Sequence, residues 1–196
     1  MMRVFLAGAT GVIGARVLAL LAGAGHEVAG MTRSADKGAT IAAFGATPVV
    51  CDVFDAPALC ESVVAFAPDL VMHQLTDLPD RVDQIPDYVP RNNRIRTEGT
   101  RHLLAAAAAA EARRFLAQSI AWTPPGSGTA IADHERHVLD AGGVVIRYGQ
   151  FYGPGTFYCD DLPAPPRIHV DDAAQRTMAL LDAPSGIVVL ADDEGM

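Results

Sequence analysis

The sequence is poor in cysteine, in basic residues and in long apolar runs. Its three cysteines, Cys51, Cys60 and Cys159, lack metal-site spacing. Their odd number suits a reducing compartment, so we expect a cytoplasmic protein with ordinary thiols. No apolar run reaches the ~18 residues that cross a bilayer, so no membrane association is predicted. Lys and Arg total 15 against 23 Asp and Glu, a net charge of −8, which argues against a nucleic-acid partner because phosphates require a basic face.

Hydrophobic residues make up 50% of the chain, enough to bury a full core. Short apolar runs alternate with helical segments along the whole sequence. The predicted strands are Arg3–Ala7, Glu27–Met31, Pro48–Cys51, Leu70–His73, Phe115–Gln118, Val144–Arg147 and Ile187–Ala191. Near-continuous apolar strands separated by helices predict a parallel sheet covered on both faces. We therefore expect residues 1–196 to form a single α/β domain, a Rossmann-type doubly wound parallel sheet.

A glycine-rich loop follows the first predicted strand and opens the first predicted helix. This is the context that distinguishes a dinucleotide fingerprint from a chance glycine cluster. Gly8 permits a tight turn, Gly11 allows a pyrophosphate to approach, and Gly14 lets helix and strand pack closely. The free N–H groups at the start of the helix favour phosphate. The predicted nucleotide-binding residues here are Gly8, Thr10, Gly11, Val12, Ile13 and Gly14.

The end of the second strand selects the cofactor. A carboxylate there binds a ribose 2′-hydroxyl and favours NAD, but this chain has Thr32, Arg33 and Ser34 instead. Arg33 is suited to a 2′-phosphate, with help from Ser34, so NADP(H) is favoured over NAD(H). The alternative is a solvated surface arginine. Further cofactor contacts are predicted after the third and fourth strands, at Asp52, Val53, Gln74, Leu75 and Thr76.

Four further segments carry motifs. They are Asn93 with Glu98-Gly99-Thr100 and Leu103-Leu104, Phe115–Ser119, Val145–Arg147 followed by Phe151–Thr156, and Ile168–Ala174. With the glycine loop, they resemble the short-chain dehydrogenase/reductase superfamily, in its extended or atypical branch of NAD(P)-dependent epimerase/dehydratase-like proteins. The resemblance covers nearly the whole chain and implies a catalytic serine at Ser119.

Two departures from the family pattern stand out. Family reductases place a Tyr-x-x-x-Lys pair on the helix after the serine strand, and these positions fall near Ser127 and Ile131. No tyrosine lies between Ser119 and Tyr148, and no lysine follows Lys37, so the usual proton donor and its partner are missing. In addition, only residues 157–167 separate two motifs between which the extended branch builds part of its substrate lobe. A reduced C-terminal lobe is therefore predicted.

The remaining candidates surround this non-standard active site. Ser119 is expected to orient a substrate, and Tyr152 is the predicted substitute proton donor, although packing of its glycine-proline turn is an alternative role. The predicted substrate-pocket residues are Gln118, Trp122 and Gln150. His134 and His137 lie three residues apart on a helix, a spacing that can bind a metal. Because no third ligand is evident, we expect a solvated face and no metal.

The leading interpretation is an NADP(H)-binding oxidoreductase-like protein whose small-molecule substrate is unknown. One alternative is a nucleotide-binding sensor or scaffold without catalysis, and another is a non-redox isomerase or cyclase on the same fold. Family members commonly dimerise through two helices, which correspond here to the predicted helices Asn92–Arg113 and Ala130–Ala141. We therefore expect a homodimer.

Overall fold

A parallel sheet of seven strands forms the centre of the protein in a computed structural model that describes residues 1–192. Its strands are β1 (Arg3–Ala7), β2 (Glu27–Thr32), β3 (Thr47–Val50), β4 (Leu70–His73), β5 (Arg114–Ile120), β6 (Val144–Tyr148) and β9 (Gly186–Leu190). They lie in the order β3-β2-β1-β4-β5-β6-β9. The order reverses between β1 and β4, which is where open α/β sheets bind ligands. The predicted Rossmann-type fold is confirmed.

Helices cover both faces of the sheet. They are α1 (Val12–Gly23), α2 (Gly38–Ala43), α3 (Ala56–Phe66), α4 (Ile85–Arg94), α5 (Thr100–Ala109), α6 (Gly128–Asp140) and α7 (Val170–Met178). Alternate residues of a strand pack into two separate hydrophobic cores, one on each face of the sheet. On β1, Val4 and Leu6 pack towards α1 and α7, while Phe5 and Ala7 pack towards α3 and α5. None of the helices within residues 1–192 is long and apolar enough to span a membrane.

The long helix predicted over Asn92–Arg113 differs in both bounds and regularity. Helix α4 already begins at Ile85, before the predicted start at Asn92. Pro86 lies in the first turn, where a missing N–H costs no helical hydrogen bond. A π-helical turn, Ile95–Gly99, joins α4 to α5. The helix ends at Ala109, and Glu111 then adopts a left-handed φ of 55°.

The chain beyond β6 forms only a small accessory layer. Strands β7 (Gln150–Tyr152) and β8 (Arg167–His169) pair in parallel as a separate two-stranded sheet. The residues between them form bends and turns with a single bridge, from Tyr152 to Tyr158. This small layer is what remains at the position where the sequence predicted a reduced lobe.

Candidate functional site

The glycine loop between β1 and α1 is built so that two of its glycines have no room for a side chain. A Cβ at Gly8 would lie 2.7 Å from the backbone oxygen of Gln74, and one at Gly14 only 2.0 Å from the oxygen of Gly8. Gly8 also has a φ of 93°, which favours glycine. The loop therefore passes directly over the end of β4. Gly11 is the N-cap of α1 and provides no side-chain cap, so the first N–H groups of the helix are available to an anion.

Hydroxyl groups connect this loop to the end of β2. The Oγ1 atoms of Thr10 and Thr32 are 3.3 Å apart, and the N–H of Ser34 donates to Thr32 Oγ1 at 3.2 Å. The side chain of Arg33 is 49% exposed, and its Nη1 lies 3.8 Å from Asp77 Oδ2. The structure thus brings together Thr10, Arg33 and Ser34, three of the predicted nucleotide-binding residues, at the carboxyl end of β2.

Asp77 is a nearly buried carboxylate that faces two arginines. Its side chain is 10% exposed, and its Oδ2 accepts a hydrogen bond from Arg91 Nε at 3.1 Å, while Arg91 Nη2 lies 3.1 Å from Oδ1 as an ion pair. The N–H of Asp77 donates to Asn92 Oδ1 at 3.0 Å. The guanidinium of Arg91 also lies 4.5 Å from the ring centre of Tyr88. Residues from the β4–α4 loop and from α4 therefore converge on the end of β2.

The other predicted cofactor residues have mixed environments. Asp52 is exposed, and its Oδ1 accepts from the N–H of Phe54 at 2.9 Å, as in a turn. Val53 is buried. Gln74 is also buried, and its Nε2 lies 3.4 Å from the Tyr148 hydroxyl. Its amide is therefore directed into the core, and only its backbone borders the glycine loop. Leu75 is half-buried and Thr76 is exposed beyond the end of β4.

A shallow cavity of about 110 Å³ lies at the carboxyl end of β5. Its lining residues are Ile120, Ala121, Trp122, Thr123, Ile131, Glu135 and Arg147. Helix α6 contains no tyrosine and no lysine, and Ile131 lines the cavity near the position where the family pattern has its lysine. Of the predicted pocket residues, Trp122 is in the wall. Gln118 lies deeper and donates to the backbone oxygen of Leu75 at 3.0 Å.

Ser119 lies beneath this cavity in an internal network. It is 1% exposed, and its hydroxyl donates to Glu135 Oε1 at 2.6 Å. The same carboxylate accepts from Arg147 Nε at 2.9 Å and from Arg147 Nη2. Burial raises the pKa of Glu135, but hydrogen bonds from Arg147 and Ser119 outweigh burial and lower the pKa below its usual value. The Ser119 hydroxyl thus donates to a carboxylate that is ionised at neutral pH.

Gln150 and Tyr152 are not in the cavity wall. Both lie on β7, in the separate two-stranded sheet. Gln150 Nε2 donates to the oxygen of Ala164 at 2.7 Å, and the Tyr152 hydroxyl donates to Asp192 Oδ2 at 3.0 Å. The structure therefore separates the predicted proton donor from Ser119 and directs its hydroxyl to a different carboxylate.

Behind the site, a single chain of hydrogen bonds crosses the ends of β4 and β5. The N–H of Leu75 can only donate, so His73 accepts at Nδ1 (3.2 Å) and donates through Nε2 to Thr100 Oγ1 (3.1 Å). Thr100 donates to His134 Nδ1 at 2.7 Å, and His134 Nε2 donates to the oxygen of Gln118 at 2.8 Å. Each imidazole is therefore neutral, with its proton on Nε2.

Burial is consistent with these neutral forms. Burial lowers the pKa of His134 to about 4, against its ordinary 6.5, and also lowers the pKa of His73 well below that value. The expectation that His134 lies on a solvated face was wrong, because α6 packs this side chain against Thr100 and β5. It is 1% exposed.

Comparison with known proteins gives the family. A sequence profile of the "NAD dependent epimerase/dehydratase family" matches residues 4–139. The chain belongs to the NAD dependent epimerase/dehydratase family. A curated relative from Streptomyces sp, "3-diazoavenalumate denitrifying reductase", is 36% identical, and the match covers 98% of this chain and 77% of that protein. That alignment runs over 237 residues, more than the chain contains, so the relative carries segments with no counterpart here.

Solved structures of this family show the same fold at low sequence identity. The UDP-glucose 4-epimerase of Thermus thermophilus, in complex with NAD, superposes with a TM-score of 0.80 at 20% identity, over 100% of this chain and 79% of that one. The UDP-glucose 4-epimerase of Thermotoga maritima, with UDP-glucose, gives 0.79 at 14% identity, over 100% and 78%. The family and fold expected from the motifs are thereby confirmed.

In this member of the epimerase/dehydratase family, sequence reasoning missed the charged partners. Glu135 was not among the predicted site residues, yet its carboxylate accepts from both Ser119 and Arg147. A signal was available, because Arg147 is the only charged residue in the apolar strand β6 and a half-buried arginine requires a partner. Asp77 gave no comparable signal, since its partners come from separate elements.

Proposed function

We propose that this member of the epimerase/dehydratase family is an NADP(H)-binding oxidoreductase with a non-standard active site. The observation that carries the proposal is the glycine loop, where a Cβ at Gly8 or Gly14 would collide with backbone. This loop lies at the start of α1, beside the point where the strand order reverses. A loop in that position with no room for side chains fits a dinucleotide pyrophosphate. The epimerase of Thermus thermophilus, which has the same fold, was solved with NAD.

The preference for the phosphorylated cofactor rests on Arg33. Its half-exposed side chain follows β2, where the chain offers hydroxyls from Thr32 and Ser34 instead of a carboxylate. A guanidinium can form charge-assisted hydrogen bonds with a phosphate. When bound, NADPH supplies a hydride. The residues that would hold it are the predicted set from the glycine loop, from the end of β2 and from the ends of β3 and β4.

The class of hydride acceptor follows from the absence of a free proton donor in the wall of the cavity. Reduction of a ketone needs a proton at the carbonyl oxygen, but α6 has no tyrosine or lysine, and Ser119 and Tyr152 both donate to carboxylates within the fold. We infer that the substrate is an electrophile that takes up a hydride without a proton from the protein. Replacement of a diazonium group is one such reaction: a carbon–hydrogen bond forms, the carbon–nitrogen bond breaks, and its electron pair leaves with N₂.

The name of the Streptomyces relative, a denitrifying reductase, supports this class of reaction. The alternatives are a sensor or scaffold that binds the nucleotide without turnover, and a non-redox isomerase or cyclase. NADPH oxidation in the presence of arene diazonium salts, simple ketones and aldehydes separates them. We expect oxidation with the diazonium salts only. Tight binding without oxidation of any acceptor would instead favour the sensor.

Calorimetric titration tests the cofactor. NADPH should bind more tightly than NADH, and Arg33→Ala should cost roughly 1–3 kcal/mol of NADPH binding, as expected for a charge-assisted hydrogen bond, while NADH binding stays unchanged. Arg81→Ala is the matched control, because Arg81 is an exposed arginine that is also paired, in its case with Asp83. Equal affinities of the wild type for NADPH and NADH would contradict the proposed preference.

A further inference from the structure

Three charged side chains meet where β2 ends, and two of them are arginines. Arg33 directly follows β2 and Arg91 lies on α4, and both face the carboxylate of Asp77. The two guanidinium groups are half-exposed, whereas the carboxylate between them is nearly buried. One carboxylate cannot neutralise two arginines, so the cluster has a net charge of +1 on its exposed side.

Counting donors shows what this cluster can still bind. A guanidinium has five N–H groups. Arg91 donates one of these, from Nε, to Asp77, which leaves four on Nη1 and Nη2, although Nη2 also lies 3.1 Å from Asp77 Oδ1 as an ion pair. The 3.8 Å from Arg33 Nη1 to Asp77 Oδ2 exceeds hydrogen-bond length, so this contact uses none of the donors of Arg33. An anion between the two arginines would therefore meet donors from both.

We propose that Arg91 binds the 2′-phosphate of NADPH together with Arg33, and that Asp77 positions both guanidinium groups for it. This inference rests on the proposed NADPH binding. A doubly charged phosphate has enough oxygens to accept from two arginines at once. Asp77 holds one edge of Arg91, and the ring of Tyr88 supports its face at 4.5 Å, so little side-chain freedom remains to be lost on binding.

The test compares Arg91→Ala with Arg94→Ala. Arg94 lies on the same helix, is similarly exposed and is also paired with a carboxylate, that of Glu98. The readout is the ratio of the dissociation constants for NADH and NADPH, measured by titration of the full-length protein. We expect Arg91→Ala to lower this ratio by about tenfold, the equivalent of ~1.4 kcal/mol, through weaker NADPH binding. Arg94→Ala should leave the ratio unchanged.

Further variants protect the test against misfolding. Loss of NADH binding in Arg91→Ala would indicate misfolding. In that case Arg91→Gln, which keeps a donor towards Asp77, replaces Arg91→Ala in the comparison with Arg94→Ala. The double variant Arg33→Ala/Arg91→Ala should lose less NADPH affinity than the product of the two single losses, because both residues bind one phosphate.

The outcomes are distinguishable. Suppose that the wild type prefers NADPH and that Arg91→Ala, Arg91→Gln and Arg94→Ala all keep the wild-type ratio of dissociation constants. That result would overturn the role of Arg91 and leave the proposed function intact. Binding of neither cofactor by the wild type would overturn the proposed function and this inference together.

Discussion

Acid should weaken this protein through the buried histidine chain. In the folded state His134 is neutral, since its Nδ1 accepts from Thr100 and its Nε2 donates to the oxygen of Gln118. A second proton would have to enter at Nδ1 and would meet the Thr100 hydroxyl proton. In the unfolded chain, the imidazole is free to take up that proton at its ordinary pKa.

The pKa values give the sign and the size of the effect. Burial lowers the pKa of His134 in the folded protein from 6.5 to about 4. Between these values the unfolded state binds more protons, so the free energy of unfolding falls as the pH falls. The loss begins near pH 6.5 and is complete below about 4. At ~1.36 kcal/mol for each pKa unit, His134 alone accounts for about 2 kcal/mol by pH 5 and about 3 kcal/mol in total. The lowered pKa of His73 acts in the same direction.

Urea unfolding followed by circular dichroism, at pH 7, 6 and 5, measures this loss. His134→Gln removes the titrating group and retains an amide donor for Gln118, so it should be less stable at pH 7 but lose less stability on acidification. His102→Gln is the control, because His102 is only half-buried. If His134→Gln and the wild type lost equal stability between pH 7 and pH 5, the assignment of a neutral buried His134 would be wrong.

Three further predictions concern the site and the assembly. Gly14→Ala should abolish NADPH binding, measured by calorimetry, because its Cβ would lie 2.0 Å from the oxygen of Gly8. Ser119→Ala and Tyr152→Phe should each keep most of the NADPH turnover with a diazonium acceptor, since both hydroxyls already donate to carboxylates. Near-complete loss in Tyr152→Phe would instead identify it as the proton donor. Light scattering should give a dimer mass, and Ala105→Glu, on the exposed side of α5, should give a monomer.

The sequence predicted the sheet and the glycine loop because these features are local. Apolar runs such as those of β1 and β4 are buried on both faces wherever they pack, and the spacing from Gly8 to Gly14 requires only the strand before it and the helix after it. The same reasoning placed Arg33 at the end of β2, where the structure has it.

Contacts between distant elements were beyond such reasoning. Asp77 and Arg91 are separated by a loop and a short 3₁₀ turn, and nothing in either segment indicates that they meet. His134 was expected in solvent because no third metal ligand accompanied it and His137. Its burial depends on Thr100, which is 34 residues away. Polar residues are buried in a core only when they have hydrogen-bond partners there. When those partners lie on other elements, the sequence around the residue does not reveal them.

The histidine chain has a consequence for sequence variation. Its hydrogen bonds run in one direction, from the N–H of Leu75 to the oxygen of Gln118, and Thr100 is both acceptor and donor at its centre. Replacing any one member by an apolar residue leaves a neighbouring buried side chain without its partner, whereas replacing His73, Thr100 and His134 together removes the partners only of the two backbone groups at the ends, the N–H of Leu75 and the oxygen of Gln118. Among relatives of this protein, the three positions should therefore change as a set, with the whole polar chain retained or an apolar trio in its place.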